Sequence, residues 1–79
     1  GEIGENKVVL DIGCNKGYLY NLAPNNTFYG IDYSKKDLEI AKANYKKVYR
    51  IDLNNNYSEF REELKFDVIV FADIIEHLV

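Results

Sequence analysis

The sequence predicts an α/β fold, in which a parallel sheet of about four strands has the order 3-2-1-4 and helices cover both faces. Short apolar runs rich in β-branched residues alternate with amphipathic segments, and this spacing requires right-handed crossovers between parallel strands. A tight turn containing Gly13 and Gly17 follows the first apolar run, and acidic residues stand at Asp11, Asp32 and Asp52, close to the ends of the first three runs. In a parallel sheet these ends meet at one edge, where ligands bind.

The first predicted strand covers residues 8–10, a continuous apolar run typical of a strand that is buried on both faces. After the glycine turn, residues 18–23 predict a short helix with Leu19 and Leu22 facing inward. Pro24 and the two asparagines after it end this helix. The second strand is predicted over residues 28–31.

Ser34 followed by Asp37 is a capping pattern, and it predicts a helix over residues 35–44. Apolar residues recur at helical spacing within and just after this segment, at Leu38, Ala41 and Tyr45. The third strand is predicted over residues 48–51, a further short helix over residues 58–65 and the fourth strand over residues 67–71. Residues 72–79 have the pattern of a helix that is beginning.

The composition is that of an ordinary globular domain, with 47% hydrophobic and 29% charged residues among 79. The formal net charge of −3 provides no positive field for a nucleic acid backbone, so no nucleic acid partner is expected. We expect no membrane span and no signal peptide. A single cysteine, Cys14, has no metal-ligand spacing and favours a reducing, cytoplasmic setting. We predict no metal site.

The glycine turn reads Asp11-Ile12-Gly13-Cys14-Asn15-Lys16-Gly17. It resembles the first motif of the class I S-adenosylmethionine-dependent methyltransferases, acidic-x-Gly-x-Gly-x-Gly after an apolar strand. Three of the four anchors match, and Asn15 stands in place of the middle glycine. Asparagine tolerates left-handed backbone better than other non-glycine residues, so the turn is expected to survive this change. The resemblance implies a Rossmann-like fold, of which this chain is the N-terminal, cofactor-binding part, truncated from seven strands.

The resemblance also implies which residues bind the cofactor, S-adenosyl-L-methionine. Asp32 takes the family position that accepts hydrogen bonds from the ribose hydroxyls, and Tyr33 lies against the adenine. Asp52 receives the adenine amino group, and Phe71 ends the fourth strand beside the methionine part. The complete predicted set is Asp11, Gly13, Cys14, Asn15, Gly17, Asp32, Tyr33, Asp52, Leu53 and Phe71.

Two alternatives remain open at this point. A dinucleotide-binding domain of the NAD type requires glycines in the pattern G-x-G-x-x-G, but Asn15 and Tyr18 occupy the second and third positions after Gly13. A methyltransferase-like module without turnover would keep the fold and the motif. A purely structural interpretation also stays open, in which the glycines only close a turn and Asp32 and Asp52 only cap surface elements.

The sequence identifies no catalytic residue. Cys14 is expected to be a packing residue, and His77, the only histidine, is expected to be exposed near the end of the chain. The resemblance implies transfer of a methyl group to an unknown acceptor, for which a small molecule is expected. Residues 1–6 are expected to be a flexible lead-in, and the outer side of the fourth strand is a candidate for self-association.

Overall fold

The structure, a computed structural model, describes residues 3–52 and 65–71. Within this part the chain forms four strands and two helices: β1 (Val8–Ile12), α1 (Tyr18–Leu22), β2 (Thr27–Asp32), α2 (Lys35–Ala41), β3 (Lys47–Arg50) and β4 (Val68–Phe71). The strands form one parallel sheet in the order β3-β2-β1-β4. The predicted strand order is therefore confirmed.

The strand register brings the carboxyl ends of all four strands to one edge of the sheet, called here the carboxyl edge. Ile12 of β1 is level with Ile31 of β2 and with Phe71 of β4, and Asp32 is level with Arg50 of β3. The chain runs outward from β1 through β2 to β3, and β4 then lies on the other side of β1. The carboxyl end of β1 is thus the point where strand order reverses, which is where open α/β sheets bind ligands.

Both described helices pack against the same face of the sheet. Residues of α1 and α2 join Val9 of β1 and Phe28 of β2 in one buried apolar cluster. The N-terminus of α2 is capped as the sequence predicts, since the Asp37 N–H donates to Ser34 Oγ at 3.2 Å. Two successive right-handed crossovers in the same direction place both helices on one face.

The opposite face carries a second apolar cluster, built on Leu10 and Ile12 of β1 with Tyr29 and Ile31 of β2. Phe66 packs edge-on against Tyr29, with ring centroids 5.5 Å apart. The predicted helix over residues 58–65 falls almost wholly outside the described residues, as does the helix predicted from residue 72. Because β1 is covered on both sides, all its residues from Val9 onward are buried.

The structure differs from the sequence prediction at the two helices. Leu22 was expected to face the core but is 80% exposed, because α1 has only five residues and buries none of them. Leu19 does pack on the core cluster, as predicted. Helix α2 ends at Ala41 and not at residue 44, and the turn that follows brings Tyr45 back under the sheet, where it is buried.

The segment before β1 contacts the body of the domain. The Asn6 N–H donates to the Asn25 carbonyl at 2.7 Å, and Asn26 Nδ2 donates to the Gly4 carbonyl at 3.0 Å. The flexibility of residues 1–6 stays a prediction, and Gly1 and Glu2 lie outside the described residues. In the described part of the chain, no helix is long and apolar enough to cross a membrane.

Candidate functional site

The glycine turn at the end of β1 is held in left-handed backbone at three positions. Gly13, Asn15 and Gly17 have φ values of 78°, 52° and 86°, so Asn15 adopts the conformation expected of a residue in place of the middle glycine. The N–H groups of Gly13 and Cys14 both donate to the Ile31 carbonyl, at 2.8 and 3.0 Å. The turn is therefore fastened to the end of β2.

Asp32, the last residue of β2, connects this turn to the loop that follows its own strand. Its Oδ2 accepts the Asn15 N–H at 2.8 Å. Its Oδ1 accepts the N–H groups of Tyr33 and Ser34 at 2.7 and 3.1 Å. An ionised carboxylate has about four acceptor positions, so these bonds leave one position on Oδ2 for a further donor.

Asp11 is a buried acid beside the same turn, with 1% of its surface exposed. Its Oδ2 accepts the Tyr45 hydroxyl at 2.6 Å, whereas its Oδ1 has no hydrogen-bond partner in the described part of the chain. Burial raises the pKa of Asp11 above its ordinary value of 3.8, the Tyr45 hydrogen bond opposes this shift, and the charge of Asp32 adds to it. A buried carboxylate oxygen without a partner is costly, so Oδ1 of Asp11 can accept a further donor that the described residues do not supply.

Cys14 packs beneath the turn and is not activated. It is 3% exposed, and burial, aided by the negative charges of Asp11 and Asp32, raises the pKa of its thiol to about 12. A thiol with this pKa contains almost no thiolate at neutral pH. The geometry therefore agrees with the packing role expected from the sequence.

A pocket of about 190 Å³ opens between the glycine turn and α1. Its lining residues are Asp11, Gly13, Cys14, Asn15, Tyr18, Leu19 and Leu22. This volume is below the roughly 300–1,000 Å³ of complete ligand sites, so the pocket holds only part of a ligand of nucleoside size. A larger cavity of about 460 Å³ lies between the segment before β1 and α1, but none of the predicted site residues lines it.

Tyr33 presents an aromatic face next to Asp32. The ring is 58% exposed, and the Arg50 guanidinium lies over it at 4.6 Å from the ring centroid. Arg50 Nε also donates to the Tyr33 carbonyl at 2.8 Å. Arg50 thus contacts Tyr33 twice, by a cation–π interaction with the Tyr33 ring and by a hydrogen bond to the Tyr33 backbone, and both contacts fix the position of Tyr33.

The other predicted site residues are distributed along the same edge. Asp52 is half-buried and follows Ile51, whose N–H donates to the Asp32 carbonyl at 3.0 Å. Phe71 is level with Ile12 at the carboxyl end of β4. Leu53 and His77 lie outside the described residues. Every described member of the predicted set lies at the carboxyl edge, and their roles in binding stay predictions.

Tyr45 contacts the candidate site through Asp11, although the sequence indicated only a core position. Its ring stacks on Phe28, with centroids 5.2 Å apart, and its hydroxyl reaches Asp11. The signal that could have found it is general: a buried tyrosine needs a partner for its hydroxyl. Three residues of α1 that line the pocket were also missed: Tyr18, Leu19 and Leu22.

Comparison with known proteins identifies relatives along nearly the whole chain. A family model described as a methyltransferase domain matches residues 3–79. The ubiquinone biosynthesis O-methyltransferase of Pelagibacter ubique (strain HTCC1062) is 38% identical over an alignment of 78 residues, and the match covers 94% of this chain and 32% of that protein. The chain therefore spans about a third of the length of this curated relative.

Solved methyltransferase structures also resemble the chain. The plantazolicin methyltransferase BpumL in complex with SAH has 30% identity and a TM-score of 0.55, covering 91% of this chain and 32% of that one. A TehB-like SAM-dependent methyltransferase from Corynebacterium glutamicum ATCC 13032 Kitasato has 20% identity and a TM-score of 0.64, covering 96% and 42%. The second likeness shows a shared fold alone.

Proposed function

The chain belongs to the methyltransferase domain family, and from this premise we propose that it is the cofactor-binding part of a longer enzyme that transfers a methyl group from S-adenosyl-L-methionine. BpumL, the relative described above, was solved in complex with SAH, S-adenosylhomocysteine. The observation that carries the proposal is the unpartnered Oδ1 of Asp11, a residue that lines the pocket at the glycine turn.

The charge of Asp11 fits the methionine part of this cofactor. The methionine part carries an α-ammonium group, which can donate a charge-assisted hydrogen bond to a carboxylate. Asp11 Oδ1 is already buried without a partner among the described residues, so a donor that reaches it adds a charge-assisted hydrogen bond without a further large desolvation of this oxygen. Asp11 Oδ1 is therefore assigned to the ammonium, with Gly13, Cys14 and Asn15 forming the adjacent wall.

The ribose and adenine are assigned to the end of β2. The free acceptor position on Asp32 Oδ2 suits a ribose hydroxyl, since the other acceptor positions already bind the N–H groups of Asn15, Tyr33 and Ser34. The exposed ring of Tyr33 provides a stacking face for the adenine. Asp52 and Leu53 complete the adenine site in this proposal, and Phe71 borders the methionine part.

When bound, the cofactor would supply a methyl group on a sulfonium sulfur: a nucleophile of the acceptor forms a bond to the methyl carbon while the carbon–sulfur bond breaks, and S-adenosylhomocysteine leaves. The residues of this chain hold and orient the cofactor, because alignment of the methyl group with the nucleophile is the main contribution a protein makes to such a displacement. No described side chain is assigned a catalytic role.

An NAD-type dinucleotide fits the site less well than this cofactor. Its pyrophosphate carries two negative charges, and the glycine turn would bring them toward Asp11 in a setting where like charges repel strongly. Helix α1 has only five residues and provides no extended dipole for a pyrophosphate. The same turn that repels a dianion attracts an ammonium group.

Calorimetric titration with S-adenosylhomocysteine tests the proposal. We expect the chain to bind this ligand and not NADH, and Asp32→Ala to weaken the binding at least about tenfold, because a hydrogen bond to a charged group is lost. Absence of binding by the folded wild-type chain, or tighter binding of NADH, would contradict the proposal.

Asp67→Ala is the matched control for this experiment. Asp67 Oδ2 also accepts a backbone N–H, that of Val8, at 2.8 Å. Asp67 precedes β4, however, and so lies at the amino ends of the strands, away from the glycine turn. Its replacement should lower stability without changing the affinity for S-adenosylhomocysteine, which separates a loss of fold from a loss of the site.

We also propose a small-molecule acceptor, a cytoplasmic setting and self-association through the outer side of β4. Support for self-association comes from Ile69 and Phe71, which are 53% and 40% exposed on a strand that ends the sheet in the described part of the chain. Exposed apolar strands of this kind pair with other chains. Sedimentation velocity should detect dimers that Ile69→Lys dissociates, and a monomer at all concentrations would contradict this.

A further inference from the structure

Tyr45 lies in a niche that two glycines leave open for its ring. A Cβ on Gly30 would come within 2.8 Å of Tyr45 Cδ2, and a Cβ on Gly17 within 3.1 Å of Tyr45 Cε1. Phe28 stacks on the same ring at 5.2 Å and 24°. A ring enclosed on several sides in this way has little freedom to move, so the position of its hydroxyl is set by the core.

The hydroxyl of Tyr45 forms a hydrogen bond with Asp11, a residue in a different part of the chain. Tyr45 follows α2, whereas Asp11 lies in β1, and the hydroxyl donates to Asp11 Oδ2 at 2.6 Å. Oδ2 is thereby occupied, and Oδ1 is the only oxygen of this carboxylate without a partner among the described residues. The hydrogen bond fixes which of the two oxygens is available to a ligand.

The charges around this pair keep the direction of the hydrogen bond constant. Burial, together with the hydrogen bond and charge of Asp11, raises the pKa of Tyr45 well above its ordinary value, so the phenol stays protonated and acts as the donor. The titratable groups that act on the pKa of Asp11 are Tyr45, from the turn after α2, and Asp32, from β2. Cys14 of the glycine turn stays a neutral thiol, whose own pKa the charge of Asp11 helps to raise. Among these influences, the Tyr45 hydrogen bond favours the ionised form of Asp11, whereas burial and the charge of Asp32 disfavour it.

We propose that Tyr45 is a positioning residue of the cofactor site, whose hydroxyl holds Asp11 Oδ2 so that Oδ1 accepts the α-ammonium of the cofactor. The proposal rests on the function proposed above and extends it from the glycine turn to the turn after α2. Tyr45 does not itself contact the ligand. It acts through the orientation and the charge of Asp11.

The test compares wild type and Tyr45→Phe by calorimetric titration with S-adenosylhomocysteine over a series of pH values. Ionised Asp11 binds the ammonium, so affinity falls as the pH decreases through the pKa of Asp11 in the free chain. Tyr45→Phe keeps the stacked ring but removes the hydrogen bond that favours ionised Asp11. We therefore expect the midpoint of this fall to move to higher pH by about one unit or more.

Tyr29→Phe provides the matched control, because Tyr29 is also a buried tyrosine but belongs to the cluster on the opposite face of the sheet. Removing its hydroxyl should leave the midpoint unchanged. If the folded Tyr45→Phe chain binds S-adenosylhomocysteine and its affinity falls at the same pH as that of wild type, the positioning role of Tyr45 is overturned, while the cofactor assignment stands. A purely structural role would lower affinity equally at every pH.

Carbon-13 NMR of the Asp11 carboxyl in the ligand-free chain separates the two levels of the proposal. Its titration should move to higher pH in Tyr45→Phe, and Asp11→Asn identifies the signal. If this shift occurs but wild type does not bind S-adenosylhomocysteine at any pH, the cofactor assignment is overturned. If the ligand binds but the carboxyl titration does not move, only the positioning role fails.

Discussion

Asp11→Asn is expected to weaken the binding of S-adenosylhomocysteine by roughly 30- to 150-fold, because a hydrogen bond to a charged group worth about 2–3 kcal/mol is lost. Asparagine has nearly the same shape as aspartate and can still accept the Tyr45 hydroxyl through its carbonyl oxygen. The substitution thus removes the charge of Asp11 while preserving its packing. Calorimetry at neutral pH measures the loss of affinity.

The same substitution is expected to leave the chain as stable as wild type or to stabilise it. The wild-type chain buries a carboxylate oxygen that has no partner among the described residues, and a neutral amide costs less to bury than an unpaired charge. Urea unfolding of the ligand-free variants measures this difference. A large loss of both stability and affinity would indicate that Asp11 serves the fold and not the ligand.

The pH dependence of stability follows from the direction of the Asp11 shift. Because the pKa of Asp11 is higher in the folded chain than its ordinary value of 3.8, the folded state binds more protons than the unfolded state between these two values. Through Asp11, the free energy of unfolding therefore falls as the pH rises through this interval. Asp11→Asn should abolish this contribution. Asp67→Asn, a control at the opposite edge of the sheet, should retain it.

Gly30→Ala is expected to lower the free energy of unfolding by about 2–3 kcal/mol, the upper part of the range for an overpacked core. The added Cβ would lie 2.7 Å from Cys14 Sγ and 2.8 Å from Tyr45 Cδ2. Tyr45 cannot withdraw easily, because it is stacked on Phe28. For a domain of this size the melting temperature should fall by roughly 10–20 °C.

The double variant Gly30→Ala/Cys14→Ala checks the cause of this loss. Removing the thiol relieves the contact with Cys14 and leaves the contact with Tyr45, so part of the lost stability should return. A double-mutant cycle measures this recovery separately from the cost of Cys14→Ala itself. If Gly30→Ala melts close to wild type, the niche around Tyr45 is less tightly packed than the distances indicate.

The sequence alone was sufficient for the strand order and for the edge of the sheet where the candidate site residues lie. The apolar run at residues 8–10 predicts burial on both faces, which β1 shows from Val9 onward, and parallel strands with right-handed crossovers then have few arrangements. The left-handed backbone at Asn15 was also predictable, because it depends on local sterics. The burial of α1 side chains was not predictable in this way. Leu22 has an apolar side chain at a helical position, yet nothing in the described part of the chain buries it.

Only the tertiary structure determined which hydrogen-bond donors bind the carboxylates of Asp11 and Asp32. Asp11 and Tyr45 are separated by 33 intervening residues. No local sequence pattern predicts the hydrogen bond between them, nor that Asp11 Oδ1 has no partner among the described residues. The same holds for Asp32, whose carboxylate binds the Asn15 N–H of a distant turn. Local sterics and burial patterns act along the chain and are readable in the sequence, whereas the partner of a buried polar atom is determined by which distant side chains the packed core brings within hydrogen-bond distance.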